Sequence, residues 1–358
     1  MPLSKIQFGN TGRRNLVING AMQVAQRATS VAGIGGDAGY KTIDRFRQNT
    51  SNTAGRLTMS QSSVTDLPGF ANALKLDCTT ADTTIAATEV GIIQYRFEGQ
   101  DVQQIKKGTS SAEPITVSFY VKGNASATYT VELEDSDNSF RANSQEFSVT
   151  SSWTRVIKTF VADTTGTLDD DANQSLQLNF WFHGGSNYTS GTFASNTWHT
   201  DQTKRIGTNA DSFFDSTNRT LEITGLQVEV GDTATEFEHR SFGEELLLCK
   251  RYFEVYSPAA NDDGSVGVVR TRTSVNHYQG LVNFHEKRAQ PTCTIDYDRV
   301  HKPGVVKDTL SALTITIGSG ETQSCTINAT PANDSSISTY GFLGKSSGTG
   351  SLKLDAEL

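Results

Sequence analysis

The chain of 358 residues is short of the residue types that mark several protein classes. It holds 4 cysteines, 3 tryptophans and 3 methionines, and charged residues make up only 20% of it. The cysteines (Cys78, Cys249, Cys293 and Cys325) lie far apart with no CxxC among them, which fits neither a zinc ribbon nor a disulfide framework. They read as small buried hydrophobes of a chain made in a reducing cytoplasm, with a Cys293–Cys325 pair within one sheet as the alternative. No run approaches the roughly 18 apolar residues of a membrane-spanning helix, so no membrane insertion is expected. The opening MPLSKIQFGN lacks the form of a signal peptide. A formal net charge of −8 argues against a mainly electrostatic grip on nucleic acid. The modest charge fraction also sets the chain apart from charged, disordered sequences.

What is abundant points to β structure. Serine and threonine number 80 together and glycine 31, a composition suited to short strands with one polar face. Strict alternation appears in Ile115, Val117, Phe119 and Val121, and again in Tyr129, Val131 and Leu133 after Gly123-Asn124; this pattern predicts a hairpin with one buried face. Leu176, Leu178, Phe180 and Phe182 alternate with Gln177, Asn179, Trp181 and His183 in the same way. Between Leu221 and Val230 the alternation changes phase across Gly225, and a bulge there would keep both halves on the core. A first strand is expected at residues 15–19 and a Gly-rich loop at 28–39. Ser241 followed by Glu244 has capping-box spacing, with Leu246, Leu247, Cys249 and Phe253 as the apolar stripe of a helix. Short strands follow at 266–270, 281–284, 292–297, 313–317, 325–329 and 351–354.

The expected class is therefore all-β: a jelly-roll β-sandwich, one short helix, and a smaller C-terminal β domain. The expected boundaries are a lead-in over 1–13, the sandwich over 14–240, the connecting helix over 241–256 and the small domain over 257–358. The lead-in reads also as an attachment peptide.

Catalytic motifs are absent. Gly344-Lys345-Ser346-Ser347-Gly348 matches GxSxG by letter, but no strand–turn–helix pattern surrounds it and the last histidine, His301, precedes it. The same letters imitate the end of a P-loop, yet Thr339 stands where its first glycine belongs. The histidines do not cluster at ligand spacing, and Asp169-Asp170-Asp171 reads as a solvated run with calcium as a minor alternative. No catalytic residue, metal site or cofactor is expected. What remains is aromatic residues among amides: Trp181 beside Gln177 and Asn179, and Tyr188 and Trp198 in the loop after it. An exposed aromatic stacks on the C–H face of a sugar while amides meet its hydroxyls. These five residues are the candidate glycan contacts, and cover by a neighbouring subunit or by the second domain is the competing expectation for Trp181 and Trp198.

Three stretches resemble a family of structural proteins from tailed bacteriophages, described as tail fibre or receptor-binding proteins. The first is Arg14-Asn15-Leu16-Val17-Ile18-Asn19-Gly20-Ala21-Met22-Gln23-Val24-Ala25-Gln26-Arg27 with Thr42-Ile43-Asp44-Arg45-Phe46, where Ala28 replaces the usual glycine and Phe46 the frequent tryptophan. The second is Gly184-Gly185-Ser186 leading through Tyr188 to Trp198. The third and most specific runs from Ile223-Thr224-Gly225-Leu226-Gln227-Val228-Glu229-Val230-Gly231 through Phe237-Glu238-His239-Arg240 to Glu244-Glu245 and Cys249-Lys250-Arg251-Tyr252-Phe253. The middle of the chain also looks like a carbohydrate-binding module of the jelly-roll type.

The resemblance implies a non-enzymatic virion protein, assembled in the host cytoplasm, that docks to other virion proteins as a homotrimer and contacts host-surface polysaccharide. A decoration, collar or adaptor protein that binds no glycan is the alternative, and a polysaccharide depolymerase the third.

Overall fold

Where apolar residues alternate with polar ones, each strand can bury one face, and two such sheets facing each other make a core. The computed structural model describes residues 13–256, 267–270, 278–301, 307–332, 340–346 and 350–358. The lead-in before residue 13, the linker over 257–264 and part of the Gly344-to-Gly348 stretch lie outside them. The chain divides into two units, one reaching Leu246 and including Leu358, the other Leu247–Glu357.

The strands of the first unit are, in chain order, β1 (Ser30–Ile34), β2 (Asp37–Tyr40), β3 (Phe46–Ser51), β4 (Arg56–Ser63), β5 (Asn72–Thr80), β6 (Val90–Glu98), β7 (Ile115–Gly123), β8 (Ala127–Asp135), β9 (Arg141–Val149), β10 (Thr154–Phe160), β11 (Gln174–Gly184) and β12 (Thr220–Val230). They form two six-stranded antiparallel sheets, β1-β4-β5-β12-β7-β10 and β2-β3-β6-β11-β8-β9. This is the expected all-β jelly-roll sandwich. Val117, Phe119 and Val121 of one sheet share a core with Leu176, Leu178 and Phe180 of the other. The Phe119 and Phe180 rings meet edge to face across it, 5.0 Å apart.

Three local expectations change. The hairpin over 115–133 does not form: β7 pairs with β12 and β10, while β8 pairs with β11 and β9 in the opposite sheet. Alternation tells that a strand has a core face but not which sheet it joins. The short link bridges the layers, and the Asn124 side chain bonds the Asn218 carbonyl at 2.7 Å and the Thr220 amide at 2.9 Å. The loop expected over 28–39 contains β1 and β2, edge strands whose pairing comes from β4 and β3 rather than from side-chain periodicity. The strand expected at 15–19 is instead a clamp. β5 pairs with β12 only over Thr220–Ile223, and beyond the Gly225 bulge Asn15 and Leu16 take over that edge. The Leu16 amide donates to the Val228 carbonyl at 3.0 Å; Asn15 Nδ2 donates to the Leu226 carbonyl at 3.1 Å and its Oδ1 accepts from the Val228 amide. The chain then turns at Asn19, whose φ is 63°.

The first and third of the segments that carry the phage resemblance converge on this clamp. Arg240 donates to the carbonyls of Asn15 and Val17 and to Glu245. The Asn15 amide donates to Glu238, and the Asn19 amide to Glu245. Asn19 Nδ2 bonds the carbonyls of Val24 and Asp44. Most of these polar groups satisfy one another inside the unit, as buried polar groups tend to, with Arg240 Nε left over; their role here is to lock the sandwich.

The bulge at Gly225 is present. Its φ is +61°, and the register shifts between Thr224 and Gln227, so Leu221 and Ile223 before it and Leu226 and Val228 after it all reach the core. A Cβ here would sit 2.7 Å from the Phe70 ring and 2.9 Å from Tyr120. Gly225→Val combines left-handed backbone strain with that clash, and is expected to cost about 2–4 kcal/mol in urea unfolding.

The helix is Phe242–Lys250, with the Ser241 hydroxyl accepting from the Glu244 amide. It ends before 256 because Phe253–Tyr256 forms β13, paired with a strand near the chain's end. The second unit continues with β14 (Gly267–Arg270), β15 (Tyr278–Asn283), β16 (Thr292–Asp296), β17 (Arg299–His301), β18 (Lys307–Thr316), β19 (Ser324–Pro331), β20 (Tyr340–Gly344) and β21 (Ser351–Asp355). A sheet β13-β21-β16 adjoins a closed barrel β14-β15-β19-β18-β17-β20. All four cysteines are free thiols.

Candidate functional site

The outer face of the sheet β2-β3-β6-β11-β8-β9 is polar by the same alternation that fills the core. In β11, Leu176, Leu178 and Phe180 point inward, so Gln177, Asn179 and Trp181 point away. Register sets Gln94 of β6 and Glu132 of β8 on either side of Asn179, and Arg47 of β3 beside Gln94. The polar row is therefore continuous across four strands, and it floors a groove of about 670 Å³.

The floor is a closed hydrogen-bond network. Asn179 is fully buried; its Oδ1 accepts from Gln177 at 2.8 Å and from Gln94 at 3.2 Å, and its Nδ2 donates to Glu132 at 2.8 Å and Glu134 at 3.1 Å. Gln177 Oε1 accepts from Arg96 Nε at 3.1 Å and from Gln174 at 3.2 Å. Arg96 Nη1 also donates to the Leu358 backbone oxygen at 2.6 Å. Glu132 accepts in addition from Ser144, Trp181 and Arg205. Burial works to raise the pKa of Glu132, but the Arg205 charge and these donors hold its carboxyl below the usual range. Arg205 also pairs with Glu134.

The five residues expected from sequence part company here. Gln177, Trp181 and Tyr188 line the groove. Asn179 lies beneath it as the hub of the network. Trp198 is not among the lining residues; its Nε1 donates to the Val161 carbonyl and its ring faces Lys107 at 5.4 Å. Trp181 is not an exposed platform. It is 2% exposed, and the chain's own 184–206 segment covers it. Tyr188 packs on it at 5.0 Å, the Arg205 guanidinium lies 5.3 Å over its ring, and Ile206, Val90 and Ile92 close a small apolar cluster around it.

The aromatic that does face solvent is Phe140, 56% exposed on the groove's edge. Ser139 and Phe140 both hold positive φ, 57° and 53°, a conformation non-glycine residues rarely keep without support. Support comes from Asp135, whose Oδ1 accepts from the Asp137 and Asn138 amides and whose two oxygens accept from the Asn138 side chain. Sequence alternation missed Phe140 because it sits in a turn. It missed Arg47, Gln94 and Arg96 although Ile93, Tyr95 and Phe97 alternate with the last two.

At the far end of β11, His183 is buried between Glu89 and Ser212, each 2.8 Å from a ring nitrogen. Burial pulls its imidazole below the ordinary value, against the opposing pull of Glu89; burial lowers His199 likewise. An unfolded histidine takes up a proton near pH 6.5 while the folded one stays neutral, so unfolding gains protons and stability falls as pH drops below about 6.5. The melting temperature is expected to be lower at pH 5.5 than at pH 7.5. His183→Gln should flatten that slope, and an unchanged slope would remove His183 as its cause. Among the described residues no group of three His, Cys, Asp or Glu side chains is placed to hold a metal ion.

No protein-family model and no curated protein matches this chain. Among solved structures the chain is similar to the enzymatically active domain of tailspike protein 4 of bacteriophage CBA120, at 10% identity over 60% of this chain and TM-score 0.33. That alignment spans 21% of the tailspike chain. It is also similar to a family 11 carbohydrate-binding module from Clostridium thermocellum in complex with a mixed-linked tetrasaccharide, at 11% identity over 59% of this chain and 99% of the module, TM-score 0.29. A family 22 carbohydrate-binding module from the same organism aligns at 12% identity over 50% of this chain and 85% of its own, TM-score 0.29.

Proposed function

We propose that this protein binds glycan in the groove on the outer face of its second sheet, without cleaving it. We propose further that it does so as a trimeric component of a phage tail fibre or similar appendage, docked to other virion proteins. The virion assignment rests on the sequence resemblance. The glycan assignment rests on one observation: a wide groove whose amide and guanidinium groups are already fixed by one another, with the exposed Phe140 ring at its edge. Fixed donors and acceptors suit hydroxyl-rich ligands because little side-chain freedom remains to be lost on binding, and a solvent-facing ring offers a surface for sugar C–H groups. The non-cleaving reading is supported by the carboxylates in and beneath the groove. Glycoside hydrolysis needs an acid with a raised pKa, whereas Glu132 is held ionised and Glu134 is tied to Arg205.

Phe140, not Trp181, is the side chain to remove. Phe140→Ala is expected to weaken retention on host-surface polysaccharide roughly tenfold, on the order of 1.4 kcal/mol, with no change in melting temperature. Binding by the intact chain is read by glycan array and by competition for labelled protein on host cells. Undiminished binding by the variant would remove the groove from consideration. Reducing ends released from the polysaccharide would overturn the non-enzymatic assignment.

A further inference from the structure

The groove carries a charge that its own network does not neutralise. Arg205 is matched by Glu132 and Glu134. Arg47 is different: it is half-buried, and among the described residues its guanidinium donates to a single acceptor, the neutral amide oxygen of Gln94. Among the described residues no carboxylate pairs with it. Arg96, two residues on from Gln94 on β6 and so on the same face, carries the same sign, and its own Nη1 is engaged by the Leu358 backbone oxygen at 2.6 Å. Burial and the like charge of Arg96 both pull the Arg47 guanidinium below its ordinary value. A half-buried cation without a counter-charge is unfavourable unless something supplies one. A chain with net charge −8 holds this positive spot in the groove proposed above as the ligand site.

We infer that the glycan taken by this groove is acidic, and that a carboxylate or sulfate group of the sugar docks on Arg47 beside Arg96. This rests on the glycan-binding proposal and sharpens it to a ligand class. A guanidinium presents paired donors to a planar carboxylate, which a lysine ammonium cannot imitate. The ion pair would sit at the groove's edge while the half-buried Gln174 remains for neutral hydroxyls.

The test compares polygalacturonate, alginate and hyaluronan with their methyl-esterified counterparts, which keep the backbone and lose the charge, using the full chain. The expected result is binding of at least one acid form, at least tenfold weaker binding of its ester, and weakening as sodium chloride rises from 50 to 500 mM. Arg47→Gln should lose about tenfold on the acid form and nothing on the ester, with Arg47→Lys intermediate. Equal binding of acid and ester, unaffected by either Arg47 variant, would overturn the acidic class and leave glycan binding standing. If no acid form binds while neutral glycans do, the inference fails in the same way. Silence from every glycan, acid or neutral, would fail both proposals together.

Discussion

Lys107→Met is expected to lower the unfolding free energy of the first unit by about 3–5 kcal/mol, the cost of leaving a buried charge without its partner. The Lys107 side chain is 1% exposed and meets Asp135 and Asp163. Its ammonium also donates to the carbonyls of Thr165 at 2.8 Å and Gly166 at 3.0 Å. Asp163 retains Arg141 at 2.7 Å, but the fully buried Asp135 carboxylate has no second cation in contact among the described residues. At about 2–4 °C per kcal/mol for a unit of this size, the melting temperature should fall by roughly 6–20 °C. Lys107→Met with Asp135→Asn should recover part of the loss, because the stranded charge goes with the lysine.

The pH dependence of that site carries a sign. Burial would raise the Asp163 pKa, but Arg141 and Lys107 hold it below the usual carboxylate value. A depressed carboxylate contributes stability above its unfolded value near pH 3.9 and loses it as pH falls through the folded one. Parent and Lys107→Met stabilities, read by urea titration, should therefore converge on acidification below about pH 4. A gap that stays constant would show that lost packing, not charge, explains the variant. Asp135 also fixes the turn bearing Phe140, so the variant is expected to weaken glycan retention even at temperatures where it remains folded.

Glu132→Gln should be nearly as damaging, at about 3 kcal/mol, although it changes a single oxygen to an amino group. The Glu132 carboxylate takes donors from Ser144, Asn179, Trp181 and Arg205. Whichever way an amide is turned there, an N–H meets another donor, and a buried donor left without an acceptor costs about 1–3 kcal/mol. Arg205 loses half its counter-charge as well. Trp181 reports the change directly: its fluorescence should shift to the red and its near-ultraviolet dichroism weaken as the cover of Tyr188 and Arg205 loosens. A variant with parental spectra and stability would mean that the network tolerates rearrangement, and that the groove is less fixed than its hydrogen bonds imply.

Much of the sandwich was legible in the sequence because alternation is a local signature of a one-sided core. β11, the Gly225 bulge and the Ser241 cap are all present where residue order placed them. What alternation cannot report is the partner on each edge. β7 and β8 are separated by three residues, a length equally suited to a hairpin or to a step between layers, and the step is what forms. Nor can alternation say what lies over the outer face. Trp181 stands among amides and reads as exposed, yet its cover comes from Tyr188, Arg205 and Ile206, in a stretch without periodicity. Phe140 escaped for the opposite reason: in a turn there is no alternation to read, and its exposure depends on two positive φ angles and a distant lysine.

The clamp of Asn15 and Leu16 on β12 has a consequence for biogenesis. Its bonds join residues more than 200 positions apart, Asn15 to Leu226 and to Glu238 among them. Fold topologies dominated by such long-range pairs form slowly, since loop closure must precede the contacts that reward it. During synthesis at about 5–20 residues per second, the segment around Asn15 emerges roughly 10–45 s before its partners exist. Until then its backbone donors and the open edge of the first sheet are available to other chains. The nascent protein thus depends on reaching Arg240 before it meets a neighbour, and truncation anywhere short of that residue should yield aggregate rather than a smaller sandwich.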